Sequence, residues 1–213
     1  MEMLRLEFDL QHHLVLSRKS PKDHALIRLI LSTLATSKEI ENLTKKDIKK
    51  KGNSYSIQLL GEKKRSSPLD EETFNLINAI EGEKPFKLNE KSIDEIISRY
   101  SPKDKKYTAK SLRKAMITFL KDSALFEVDL ENLSSEELEN FMIDFNPLFS
   151  GTWLDEDGLR DFILNYSVLN NLSDPKSIAE EIGIEESFVA SALEGGESIF
   201  SLAKKFERKR FIS

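Results

Sequence analysis

Between Tyr107 and Leu120 the apolar residues Leu112, Ala115, Met116, Phe119 and Leu120 recur at helical spacing, which predicts a helix with one buried face. Thr108 stands where its N-cap belongs. Upstream, Ser20-Pro-Lys-Asp opens another helix, with Pro21 in a tolerated first-turn position. Its apolar residues Ala25, Leu26, Leu29, Ile30, Leu31 and Leu34 cover a wide face, so it is expected to be well buried. A short helix capped by Ser37 follows, with Ile40 and Leu43 turned inward. The run Tyr55 to Leu60 alternates and predicts a strand. Ser66 to Leu69 returns after a Gly61–Arg65 turn, and Pro68 keeps that strand at an edge. This antiparallel hairpin is expected to pack against the helix that begins near Tyr107.

Asp70-Glu-Glu-Thr starts a helix that packs Phe74, Ile77 and Ile80, and Ser92 to Tyr100 forms the next. The opening residues Met-Glu-Met-Leu-Arg-Leu-Glu-Phe alternate, so residues 1–17 are expected to hold a short strand and a connection rather than a signal peptide. Helices are expected near 134–145 and 155–169. Beyond them Ala179, Gly183 and Val189 have the spacing of a helix-turn-helix over 174–194: a small contact, a turn and a packing residue. The fold class is therefore mainly α with a small antiparallel β-sheet in 1–122, followed by an all-helical part in 123–213.

Charge sharpens that division. The net charge of −5 hides a balance of +8 in residues 1–121, with 25 Lys+Arg against 17 Asp+Glu. Residues 122–213 hold 7 against 20, a balance of −13. Such a split suits a basic part that meets an acidic partner and an acidic part that can shield it. Among 213 residues there is no Cys, which excludes disulfides, a thiol nucleophile and thiolate metal sites. With only three His, no metal or other cofactor is expected. No apolar run is long enough to span a membrane, and a cytoplasmic location is the expectation.

Arg113 and Lys114 lie near the first turns of the Tyr107 helix, just after the basic loop Lys103 to Lys110. A guanidinium beside a positive helix end can hold a phosphate; the plainer alternative is a core helix with a solvated basic edge.

Three blocks in order resemble the catalytic domain of tyrosine recombinases, the phage-integrase and Xer family. Asp23 to Ile48 is similar to the family's buried helix followed by its T-G-L-R-x-S-E-L…L…D-I segment. Ile57 to Glu72 resembles its G-K…K-x-R…-P-L hairpin. Lys84-Pro-Phe, Ser92 to Ile97 and Tyr107 to Leu120 resemble the approach to its H-x-L-R-H box. In that family a Tyr phenol attacks a DNA phosphodiester, two Arg hold the non-bridging oxygens, and Lys and His move protons.

Here the resemblance places Thr36 at the first Arg, and Lys110 and Lys114 at the two His. Only Arg113 is retained, with Lys63 or Lys64 as the hairpin Lys. The nucleophile's neighbourhood, roughly thirty residues past Arg113, holds Phe141 and Phe145, and Tyr166 lies later in an apolar helix. The expectation is a non-catalytic, DNA-associated protein with no catalytic residues. Lys63, Lys64, Arg65, Lys110, Arg113 and Lys114 would make nonspecific contacts to the DNA backbone. Alternatives are an active divergent recombinase and a protein-interaction module or transcription regulator using the helix-turn-helix. Asp174 to Glu197 carries one Lys and seven acids, which suits a protein partner or homodimer better than base reading. The basic tail 204–210 could add phosphate affinity.

Overall fold

A computed structural model describes residues 2–124, 128–130 and 132–203, so the basic tail lies outside the described residues. The expected N-terminal strand is instead a helix, α1 (Glu2–Ser17). Met3, Leu6, Leu10 and Leu14 pack into one hydrophobic cluster, while Leu4, Phe8 and Val15 pack into a second. Each set has helical spacing. Interleaved, they imitate the alternation of a strand, because α1 has a core on both sides.

Such a helix has no solvated face over much of its length, so its polar residues need partners inside. Gln11 Nε2 donates to the carbonyls of Trp153 at 2.8 Å and Gly158 at 2.9 Å. The fully buried Asp9 carboxylate accepts from Arg5 Nε at 2.8 Å, Tyr107 Oη at 2.7 Å and Lys105 Nζ at 3.3 Å. His13 Nδ1 donates to the Asp9 carbonyl at 2.7 Å.

Helix α2 (Pro21–Thr33) starts where expected, with Pro21 in its first turn, and is buried almost throughout. The cap of α3 (Ser37–Asn42) is Thr36 rather than Ser37, because Glu39 three residues later completes a capping box. After a 3-10 turn at Lys45–Asp47 comes β1 (Ile48–Lys51), absent from the sequence expectation. Its three consecutive lysines are exposed and carry no apolar alternation; lysine is a residue that edge strands tolerate. Strands β2 (Ser54–Leu60) and β3 (Lys64–Leu69) complete a three-stranded antiparallel sheet in sequence order. Tyr55, Ile57 and Leu59 are buried, and Pro68 lies opposite Ser56 on the edge strand.

Helices α4 (Glu71–Ala79), α5 (Glu90–Arg99) and α6 (Ala109–Ser123) start at the caps Asp70, Asn89 and Thr108. The sheet packs chiefly on α2, α3, α4 and α7 (Ser135–Phe145), whereas α6 packs on α1, α2 and α5. This corrects the expected hairpin-on-helix contact: β2–β3 and α6 face each other across a cleft. Arg28, 2% exposed, anchors α2 to α4. It donates to Asp70 at 2.6 Å and Thr73 at 3.0 Å and lies 2.8 Å from Glu72.

A short helix, α8 (Pro147–Ser150), leads to α9 (Glu156–Asn170), α10 (Pro175–Ile182) and α11 (Glu186–Gly195). Phe162, Ile163, Tyr166, Ile178, Ile182 and Val189 close the second cluster against Phe8 and Val15 of α1. Gly183 turns α10 into α11 at φ 73°, and a Cβ there would strike Lys19 at 2.6 Å.

Burial pushes the His13 imidazole down to about 4, so the fold holds it neutral. The unfolded chain, with His near 6.5, binds the extra proton first. Stability should therefore rise with pH between about 4 and 6.5, by up to roughly 3 kcal/mol. Urea melts across that interval test this. A slope above pH 5 that survives in His13→Gln would exclude His13 as its source.

Candidate functional site

The site begins with a helix-end problem. Helix α2 stops at Leu34, whose φ of 57° and ψ of 35° place it in the left-handed region. Its last carbonyls have no helical partner and carry the negative end of the dipole. Two arginines meet them. Arg65 on β3 donates to Thr33 O and Leu34 O, both at 3.0 Å, and Arg113 Nε on α6 donates to Leu34 O at 2.7 Å.

Arg65 also makes a two-point pair with Glu39, Nε–Oε1 at 2.7 Å and Nη2–Oε2 at 3.0 Å. Glu39 Oε2 accepts in turn from Thr36 N at 2.7 Å. Burial pushes this carboxyl up, but Arg65 and Thr36 outweigh it and hold it below the usual carboxylate range. Gly61 lets the hairpin pass over this pair, since a Cβ there would meet Glu39 Cγ at 3.0 Å.

Above these contacts lies a cleft of about 790 Å3. Lys63, Lys64, Arg65, Lys110 and Arg113 all line it, from the hairpin on one side and the start of α6 on the other. Lys63, Lys64 and Lys110 are exposed, and among the described residues no ion pair holds them. Lys114 is exposed on α6 one residue past Arg113 and is not part of the lining. The two arginines differ from these lysines in state. Four hydrogen bonds occupy Arg65, which leaves one of the five guanidinium N–H groups.

No tyrosine lines the cleft. Each of the four donates its hydroxyl to a carboxylate: Tyr55 to Glu71, Tyr100 to Asp23, Tyr107 to Asp9 and Tyr166 to Glu181. Burial first, then the neighbouring Asp9 or Glu181 carboxylate, raises Tyr107 and Tyr166 well above the ordinary phenol value. Tyr166 belongs to the second hydrophobic cluster, stacked near His12 at 5.8 Å. Phe141 is buried in α7 against Phe145, ring centroids 4.9 Å apart, and Leu138 of the same helix lines the cleft.

Glu39 was not singled out from the sequence. Its signal in the sequence is the Thr36-Ser-Lys-Glu39 capping box, which a cap at Ser37 misses by one residue. The apolar wall of Leu133 and Leu138 gave no sequence signal as a site, since such residues ordinarily read as core. Among the described residues no His, Asp or Glu group is arranged to hold a metal ion. No described helix is long and apolar enough to cross a membrane.

This is a mainly α chain with a small three-stranded antiparallel sheet, whose hairpin and sixth helix form a basic cleft. It belongs to the same family as an uncharacterized protein of Archaeoglobus fulgidus, 47% identical over 203 residues, covering 92% of this chain and 95% of that one. No family model matches. Among solved structures it is similar to the XerH site-specific recombinase bound to a palindromic difH substrate, a post-cleavage complex, at 18% identity and a TM-score of 0.46. That match covers 72% of this chain, which spans about half, 51%, of the XerH chain. The XerA recombinase is similar at 15% identity and a TM-score of 0.46, over 78% of this chain and 64% of that one.

Arg65→Ala should lower stability by about 2–4 kcal/mol, because it strands the buried Glu39 carboxylate and the end of α2. Lys63→Ala on the same hairpin should stay within about 0.5 kcal/mol of the parent. Urea denaturation of the two variants distinguishes a structural arginine from a rim lysine.

Proposed function

We propose that this chain is a non-catalytic, DNA-associated protein built on a degenerate tyrosine-recombinase scaffold in residues 1–122, with an acidic helical part in 123–213. The observation that carries the reading is the convergence of Lys63, Lys64 and Lys110, with Arg65 and Arg113 behind them, on one cleft from two separate elements. The local backbone adds support. Placing Thr36 at the family's first Arg puts Leu34 at the Gly of T-G-L-R, and Leu34 has the positive φ that glycine serves best.

In this reading the phosphate contacts are made by lysines. Lys63, Lys64, Lys110 and Lys114 are exposed cations on flexible four-carbon stems, able to follow a phosphate backbone without reading bases. Arg65 and Arg113 add positive field while they fasten the end of α2. Transition-state chemistry lacks its parts: Thr36 has no charge, and the phenols are engaged elsewhere with carboxylates. The pair α10–α11 has the shape of a helix-turn-helix but, with one Lys and seven acids over 174–197, repels phosphate; it serves packing or protein contact.

Mobility shifts of the full chain with duplex DNA across a salt series test the binding. Affinity should fall linearly in log–log form with salt. The triple variant Lys63→Glu, Lys64→Glu, Lys110→Glu should flatten that slope by about 3 and weaken binding at least about tenfold. A folded triple variant that binds like the parent would move the contact elsewhere. With a nicked suicide substrate the parent should form no covalent adduct on denaturing gels. An adduct that Tyr166→Phe removes would restore the recombinase reaction.

A further inference from the structure

The cleft is lined by two unlike kinds of side chain, and the DNA reading proposed above uses only the cationic kind. Hairpin residues Lys63 and Lys64, with Lys38 and Lys110, make a cationic rim. Farther along α6 from Lys110, Ile117 lines the cleft with aliphatic carbon, together with Leu133 and Leu138 beside and within α7 and with Leu34 and Leu130. Ile117, Leu133 and Leu138 are only partly buried, although all three pack on the main core. A phosphate backbone offers nothing apolar to such a wall.

We infer that the cleft docks an acidic amphipathic helical segment of a protein partner, its apolar stripe on Ile117, Leu133 and Leu138 and its carboxylates toward Lys63, Lys64 and Lys110. Charge complementarity selects the sign of the partner: the exposed Lys38, Lys63, Lys64 and Lys110 of the lining outnumber the exposed Glu62 and Glu90, and among the described residues no ion pair holds Lys63, Lys64 or Lys110. The aliphatic wall selects the shape. Residues at i, i+3, i+4 and i+7 of a helix form one stripe, and a groove walled on one side by leucine takes that stripe while leaving the polar face outward. Aromatic side chains are absent from the lining among the described residues, so stacking of a nucleobase gains no platform there. The volume, about 790 Å3, is that of a site for a few side chains rather than for a whole domain. Because the segment and DNA share the rim lysines, each displaces the other.

The test uses the full chain and a fluorescein-labelled helical peptide with Leu at i, i+3, i+4 and i+7 and Glu elsewhere, followed by anisotropy. The expected result is saturable micromolar binding that weakens with salt. A peptide of the same composition with its leucines spread around the helix should bind about tenfold more weakly. Ile117→Ser and Leu138→Ser should each weaken the amphipathic peptide about tenfold while DNA mobility shifts stay unchanged. Two variants from two helices are used so that one unfolded protein does not decide the matter, and thermal melting checks both. Equal binding of the two peptides would overturn the inference in favour of charge alone. So would indifference to both folded variants, or no binding of the amphipathic peptide at millimolar concentration. Loss of the DNA shift in the parent with peptide binding retained would overturn the DNA reading and leave this one standing.

Discussion

The end of α2 is the constraint around which the basic side of the molecule is arranged. A buried helix cannot leave its last carbonyls to solvent, and here water is replaced by two guanidinium groups from elements distant in sequence. Arg65 reaches in from the hairpin and Arg113 from α6, and both meet at Leu34 O. One atom thus joins three elements. Glu39 neutralises Arg65 from the fourth, α3, and its own capping role fixes the start of that helix. The cleft is lined by both arginines of this junction and by Leu34 itself.

That arrangement separates two uses of positive charge. An arginine whose fork is filled by carbonyls and a carboxylate serves as a bracket, with a bidentate geometry that lysine cannot copy. A lysine on a turn keeps its hydration and its reach. Sequence treats both as one basic cluster because it shows residue type and not partners. Lys63, Lys64, Lys110 and Arg113 were legible as neighbours only through the order of the three blocks. The role of Arg65 was hidden, because its decisive partner Glu39 lies 26 residues away on another element.

The same limit explains the other misreadings. The helix of residues 109–123 was plain from its single apolar stripe, and the hairpin from the alternation of Tyr55, Ile57 and Leu59. Where one face is buried, period reports structure. Helix α1 has two buried faces whose stripes interleave, and the period of each was lost in their sum. Strand β1 failed for the opposite reason. Its lysines sit at an edge with no apolar face, so pairing with Ser54 to Ile57 carries the strand.

Each of the four tyrosines is committed to a carboxylate. A nucleophilic phenol must lose its proton beside a phosphate that cations hold. Here each phenol is instead a hydrogen-bond donor to a carboxylate, which favours the protonated form. Tyr107 spends its hydroxyl on Asp9, the buried charge of α1, and so ties the entry of α6 to the helix between the two cores. Deprotonating it would set two negative charges side by side in the interior. Tyr107 is therefore held by the packing of α1 and α6, and no phenol lines the cleft.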